Sequence, residues 1–124
     1  MDIATVSAGF PSPAEDFIES SLDFNEQLIR HPAATFCVRV RGDSMINAGL
    51  YPGSILVVDR SLTPRQDSIV VAILDGEFTV KRLRRELGVF ILYPENPQYE
   101  PVAITPGRDF AVWGVVTHAI RAFI

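Results

Sequence analysis

One lysine, one cysteine, one tryptophan and two histidines are all that this 124-residue chain carries of several chemically useful residue types. Each scarcity excludes something. A single Cys37 cannot form an internal disulfide, and with only His31 and His118 beside it no cluster has the spacing of a zinc site, so no metal and no cofactor is expected. The longest apolar runs, Ile69 to Leu74 and Phe110 to Val116, fall far short of the roughly 18 residues of a membrane span. The opening MDIATVSAGFPSP lacks the basic and apolar regions of a secretory signal, which predicts a reduced cytoplasmic setting and no membrane contact. Basic charge is also scarce. A net charge of −4 leaves no broad patch for gripping phosphates, so contact with DNA is expected to be indirect only.

What is present suits one small β-rich domain, since 48% of the residues are hydrophobic and the chain is long enough for a single core. Gly9-Phe10-Pro11-Ser12-Pro13 reads as part of an extended arm over residues 1–14. Ser12-Pro13-Ala14-Glu15 has the form of a helix start, and Asp23-Phe24-Asn25-Glu26 offers a capping box for a second short helix that stops at His31-Pro32. From Thr35 the period changes to two, with Phe36, Val38 and Val40 alternating against Cys37, Arg39 and Arg41. Tyr51-Pro52-Gly53-Ser54 predicts a type II turn into a strand over Ile55 to Asp59. Asp75-Gly76 between Ser68–Leu74 and Glu77–Leu83 predicts a type I′ hairpin. Val89–Tyr93 and Phe110–Ile120 complete the strands, while Pro94 to Pro106 shows turns only. The expected organisation is an N-terminal part, residues 1–34, and a mostly antiparallel β domain, residues 35–124.

Two residues invite a chemical reading. Ser44, in Val40-Arg41-Gly42-Asp43-Ser44-Met45, follows a strand at a tight turn, where a hydroxyl can be held rigidly and exposed. Gly, Asp and Ser also make ordinary turns, so the motif alone leaves both readings open. A serine nucleophile needs a base. His31 before a proline and His118 in a terminal strand suit structural roles better, and the ten arginines cannot deprotonate. That leaves Lys81, which shares a strand face with Thr79 and Leu83. A free lysine is neutral only about one time in a thousand near pH 7, so a basic Lys81 would have to be partly buried. A lysine snorkelling at the surface is the alternative. Lys81-Arg82-Leu83-Arg84-Arg85 forms the sole basic cluster and suits a solvated strand end; Cys37, on the polar face of its strand, suits an ordinary thiol.

Taken together, AGFPSPAEDF, VRGDSMINAGLYPGSILVVD, DGEFTVKRL and VWGVVTHAI stand in the order and spacing of the LexA/UmuD self-cleaving serine peptidases, and the chain resembles the UmuD branch from Gly9 to its end. The resemblance implies twisted antiparallel sheets with an extended N-terminal arm and two short helices. It implies a Ser-Lys dyad, with Ser44 as nucleophile and Lys81 as general base, acting on the chain's own Ala8-Gly9 bond. The backbone amides of Asp43 and Ser44 are the expected oxyanion donors. Small residues flanking that bond let an arm bend sharply into a site, and tethering supplies its local concentration. The resemblance further implies stimulation by a RecA nucleoprotein filament in the SOS response, a homodimeric product, and a UmuC-type translesion polymerase as partner. Eight residues precede Gly9, a shorter arm than is usual in that branch, and no helix-turn-helix is recognisable, which disfavours direct repression.

Overall fold

The alternating and apolar segments of the sequence become strands of a single antiparallel sheet in the computed structural model, which describes residues 21 and 23–124. The expected arm, the helix start at Ser12–Glu15 and the Ala8-Gly9 bond lie outside the described residues. The chain divides into two compact units, the break falling between Pro32 and Ala33.

In the first unit the described residues hold one helical turn, α1 (Phe24–Gln27). Asp23 caps it, its Oδ1 accepting from the Asn25 amide at 2.9 Å. The turn closes at Leu28, whose N–H donates to the Phe24 carbonyl, so the helix ends before reaching His31-Pro32. The physical reason is local. A residue before proline is pushed out of the helical region, and one turn gains too few hydrogen bonds to propagate against that.

The second unit contains β1 (Thr35–Arg39), β2 (Ile55–Asp59), β3 (Ile69–Leu74), β4 (Glu77–Glu86), β5 (Val89–Tyr93), β6 (Val102–Ala103) and β7 (Phe110–Ile120). Their order across the sheet is β1-β2-β7-β3-β4-β5-β6, and every pairing is antiparallel. The β-rich antiparallel expectation therefore holds, as one continuous seven-stranded sheet. β6 is an addition to it. The proline-rich stretch, expected to hold turns only, contributes two residues that pair with Ile91 and Leu92. So short a strand leaves no periodicity to read.

Alternation along the central strands sends side chains into two cores, one on each face. Val71 joins Met45, Leu50, Leu56 and Val58 in the first. Its neighbours Val70 and Ala72 join Leu83, Leu92 and Val115 in the second. This two-sided burial is why β3 reads as an unbroken apolar run. Each buried Val or Leu contributes about 1.5–3 kcal/mol relative to exposure.

β7 carries one more residue than its partner at two places. Against β2 the register passes from Val57↔His118 to Val58↔Val116, leaving Thr117 without a counterpart. Against β3 it passes from Val71↔Gly114 to Ala72↔Val112, leaving Trp113 without one. Such bulges bend a strand and re-aim the extra side chain. Among the described residues no helix is long and apolar enough to cross a membrane.

Candidate active site

Ser44 lies in the β1–β2 connection, whose neck is pinched by two bonds: Val40 N–H to the Ser54 carbonyl, 2.9 Å, and Gly53 N–H to the Val40 carbonyl, 3.0 Å. The Tyr51–Ser54 turn forms as expected, with Gly53 at φ 87° and the Ser54 amide 3.0 Å from the Tyr51 carbonyl. At the other end Gly42 turns the chain with φ 73°, a conformation that disfavours any side chain. Met45, 3% exposed, drops into the first core directly after the serine. A 3-10 turn over Ile46–Ala48 carries the chain on. The loop is thus held by its own buried methionine as well as by its neck, which suits a hydroxyl that must stay put.

Lys81 projects from β4 to meet it. Its Nζ is 2.8 Å from Ser44 Oγ, 2.9 Å from Thr79 Oγ1 and 3.1 Å from the Val80 carbonyl. An ammonium would donate to all three. A neutral amine has two N–H groups and one lone pair, so Thr79 Oγ1 and the Val80 carbonyl can take both protons and leave the lone pair facing the serine hydroxyl. Burial holds the Lys81 pKa below the usual lysine value. The reading of Lys81 as a freely solvated surface lysine is therefore overturned. The amine is half-buried beside apolar groups.

The pair opens onto a cleft of about 480 Å³, walled by Val38, Val40, Met45, Leu50, Phe78 and Trp113 among others. Trp113 is the bulged residue of β7. Its ring lies 5.4 Å from that of Phe36 and 6.0 Å from that of Phe78, and the Arg60 guanidinium covers it at 4.6 Å. Sequence reasoning did not single out this aromatic wall. A lone tryptophan in an apolar strand gives no sign of pointing into a cleft until the bulge is known.

A second group was also missed. The segment after β5 runs back along the serine loop: the Glu95 amide donates to the Ser44 carbonyl at 2.8 Å, and the Asn47 amide donates to the Glu95 carbonyl at 2.9 Å. Asn96 Nδ2 donates to the Asp43 carbonyl at 3.0 Å, and the Tyr99 hydroxyl donates to Asp43 Oδ1 at 2.6 Å. The Asp43 carboxylate accepting that bond raises the Tyr99 pKa. Glu95 also pairs with Arg82, the residue after the lysine. One short segment therefore ties the serine loop to the lysine strand.

The remaining candidates fall outside this group. His118, on β7 opposite Val57, has its Nδ1 3.0 Å from Thr117 Oγ1; His31 belongs to the first unit. Cys37 is a free, exposed thiol. The basic cluster is largely internally engaged, with Arg82 on Glu95, Arg84 on Asp67 and Arg85 over the Phe90 ring. No group of three potential metal ligands occurs among the described residues. The backbone amides of Asp43 and Ser44 are not spent on backbone partners within the described residues.

Comparison with known proteins shows the family. The Peptidase S24-like family matches residues 2–117. Protein SamA of Salmonella typhimurium is 50% identical over 114 residues, covering 92% of this chain and 79% of SamA. Protein MucA of Escherichia coli is 44% identical over 116 residues, covering 93% and 79%. LexA repressor 1 of Geobacter sulfurreducens is 41% identical over 117 residues, covering 94% of this chain and 57% of the repressor. A family match that spans the serine loop, the lysine strand and the segment fastening them leads to one conclusion: the chain belongs to the Peptidase S24-like family, the family of the LexA and UmuD proteins.

Proposed function

We propose that the chain is a self-processing serine peptidase in which Ser44 is the nucleophile, Lys81 the general base, and Ala8-Gly9 the bond cut. The observation that carries this reading is the 2.8 Å contact between Lys81 Nζ and Ser44 Oγ at the mouth of an apolar cleft. Neutral Lys81 takes the Ser44 proton as Oγ attacks the Ala8 carbonyl carbon. The carbonyl oxygen becomes an oxyanion facing amides of the Asp43–Ser44 turn. Collapse of the tetrahedral adduct breaks the C–N bond, and the proton on Lys81 passes to the departing Gly9 amine. Water, deprotonated by the same lysine, then hydrolyses the ester at Ala8 and frees Ser44.

Membership of the family supports a wider setting. We place the chain in the cytoplasmic SOS response, its cleavage stimulated by the RecA filament on single-stranded DNA, and its homodimeric product serving a UmuC-type translesion polymerase. Contact with DNA is then through partners.

The test is incubation of the purified chain at mildly alkaline pH, with the mass of a product beginning at Gly9 as readout. Ser44→Ala and Lys81→Ala are each expected to abolish that product. A wild-type chain that stays intact with RecA filament present would favour an accessory module whose dyad is idle.

A further inference from the structure

We infer that Asn96 is a positioning residue for the oxyanion-binding amide of Ser44, an inference that rests on the peptidase reading of the same site. The argument begins with the geometry of one peptide group. In a trans peptide the C=O of residue i and the N–H of residue i+1 belong to one plane and point in opposite directions. The Asp43 carbonyl and the Ser44 N–H share such a plane. Asn96 Nδ2 donates to that carbonyl at 3.0 Å, and the Ile46 amide donates to it at 3.2 Å. Two donors on the oxygen fix the plane, and therefore fix the direction of the Ser44 N–H on its far side. They also polarise the group, which strengthens the N–H as a donor.

The orientation of the Asn96 side chain is set from its other end. Its Oδ1 accepts from the Gln98 amide at 3.0 Å, so a flipped amide would set two donors against each other there and two acceptors against each other at Asp43. The Tyr99 amide closes the turn on the Asn96 carbonyl at 3.1 Å, and the Tyr99 hydroxyl holds the Asp43 carboxylate at 2.6 Å. The next peptide group is fixed in the same way, because the Glu95 amide donates to the Ser44 carbonyl at 2.8 Å and so directs the Met45 N–H. Among the described residues Asn96 is not one of the hydrogen-bond partners of the lysine amine. It acts through the peptide group that it grips.

Asn96→Asp separates this role from general support. The carboxylate keeps an oxygen for the Gln98 amide but sets a second oxygen against the Asp43 carbonyl, where the N–H had been. Direct loss of an oxyanion donor costs about 10²–10³ in rate, so misdirecting one through its carbonyl is expected to slow cleavage by about tenfold or more. The measurement is the self-cleavage rate of the full chain across pH, with Asn96→Ala as a second variant and Thr79→Val as contrast. Both Asn96 variants are expected to lower the plateau rate, and the uncharged Asn96→Ala to leave the pH midpoint where it is, whereas Thr79→Val shifts the midpoint because it touches the lysine amine. The Ser44 amide proton resonance, read independently of cleavage, is expected to move in Asn96→Asp. A plateau unchanged in both Asn96 variants, a midpoint that shifts in Asn96→Ala, or an unmoved Ser44 amide resonance overturns the inference. A wild-type chain that never cuts itself overturns the peptidase reading instead, since the resonance reports on the Asn96 grip alone.

Discussion

The hairpin between β3 and β4 and the loop that carries Ser44 are both tight connections between antiparallel strands, yet they are specified in opposite ways. The hairpin is written in two adjacent residues. Asp75 and Gly76 take φ 49° and 84°, the pair of positive angles that a type I′ turn requires, and the flanking strands pair from Leu74↔Glu77 outward. The serine loop is held from afar. Its partners Lys81, Asn96 and Tyr99 stand 37, 53 and 56 residues along the chain from Ser44 or Asp43. The hairpin can form as soon as its own strands exist. The site exists only when most of the sheet does, so the chemistry proposed for it depends on folding.

The sharpest way to break this comparison is to alter the lysine, which belongs to the hairpin strand by sequence and to the serine loop by contact. Lys81→Met keeps most of the stem volume and removes the proposed base, so self-cleavage should fall below detection while β4 still pairs. The pH dependence follows from the same burial. Because the folded Lys81 pKa lies below its unfolded value, the unfolded chain holds more protons between the two, and stability rises with pH across that window. The desolvation penalty is full below the folded pKa and disappears as pH climbs to the unfolded one. The melting temperature of Lys81→Met, relative to wild type, should therefore stand higher at neutral than at strongly alkaline pH. In the wild type, cleavage should accelerate with pH and level off once the amine is neutral. A cleavage rate that falls through the same range would remove Lys81 as the base.

The contrast also explains what the sequence disclosed. Strand limits were legible wherever alternation or a turn pair stated them locally, as in β2, β5 and β7. The pairing of Ser44 with Lys81 was suggested by the resemblance, after a single lysine among ten arginines had left few candidate bases and a surface lysine still open. What stayed hidden depended on neighbours distant in the chain. Nothing in Tyr93-Pro94-Glu95-Asn96 states that it will lie against Asp43 and Ser44. β6 is too short for a period, and the bulge at Trp113 is set by register with β3, not by its own side chain.

A moderate effect is expected at Gly114, which joins the two regions by sitting between the bulged Trp113 and the strand that follows the serine loop. A Cβ placed there would lie 2.6 Å from Val58 Cγ1. Val58 is fully buried and packs in the core that holds Met45, so its side chain cannot simply swing aside. Gly114→Ala should destabilise by about 1–3 kcal/mol as overpacking does, measured by denaturant unfolding. It should also slow cleavage, since the wall containing Trp113 moves with it. Cleavage at the wild-type rate despite lost stability would show the cleft wall to be independent of that core.

The smallest effect is expected in the hairpin itself. Gly76 has open space around it, with nothing within 4 Å of an added Cβ, so Gly76→Ala meets no clash and costs only the strain of its positive φ. That strain is about 1 kcal/mol for an L-residue in the left-handed region, and part of it is returned by the less flexible unfolded chain. The turn lies five residues before Lys81, and the β3–β4 pairing continues past it through Val70↔Lys81 and Ile69↔Arg82. A local strain at one end of a ladder held by so many further pairs should stay there. Gly76→Ala is thus expected to lower stability slightly and leave the cleavage rate unchanged. If the rate fell as steeply as with Gly114→Ala, the hairpin would have to act as a lever on the lysine, and the division between a locally specified turn and a remotely assembled site would not stand.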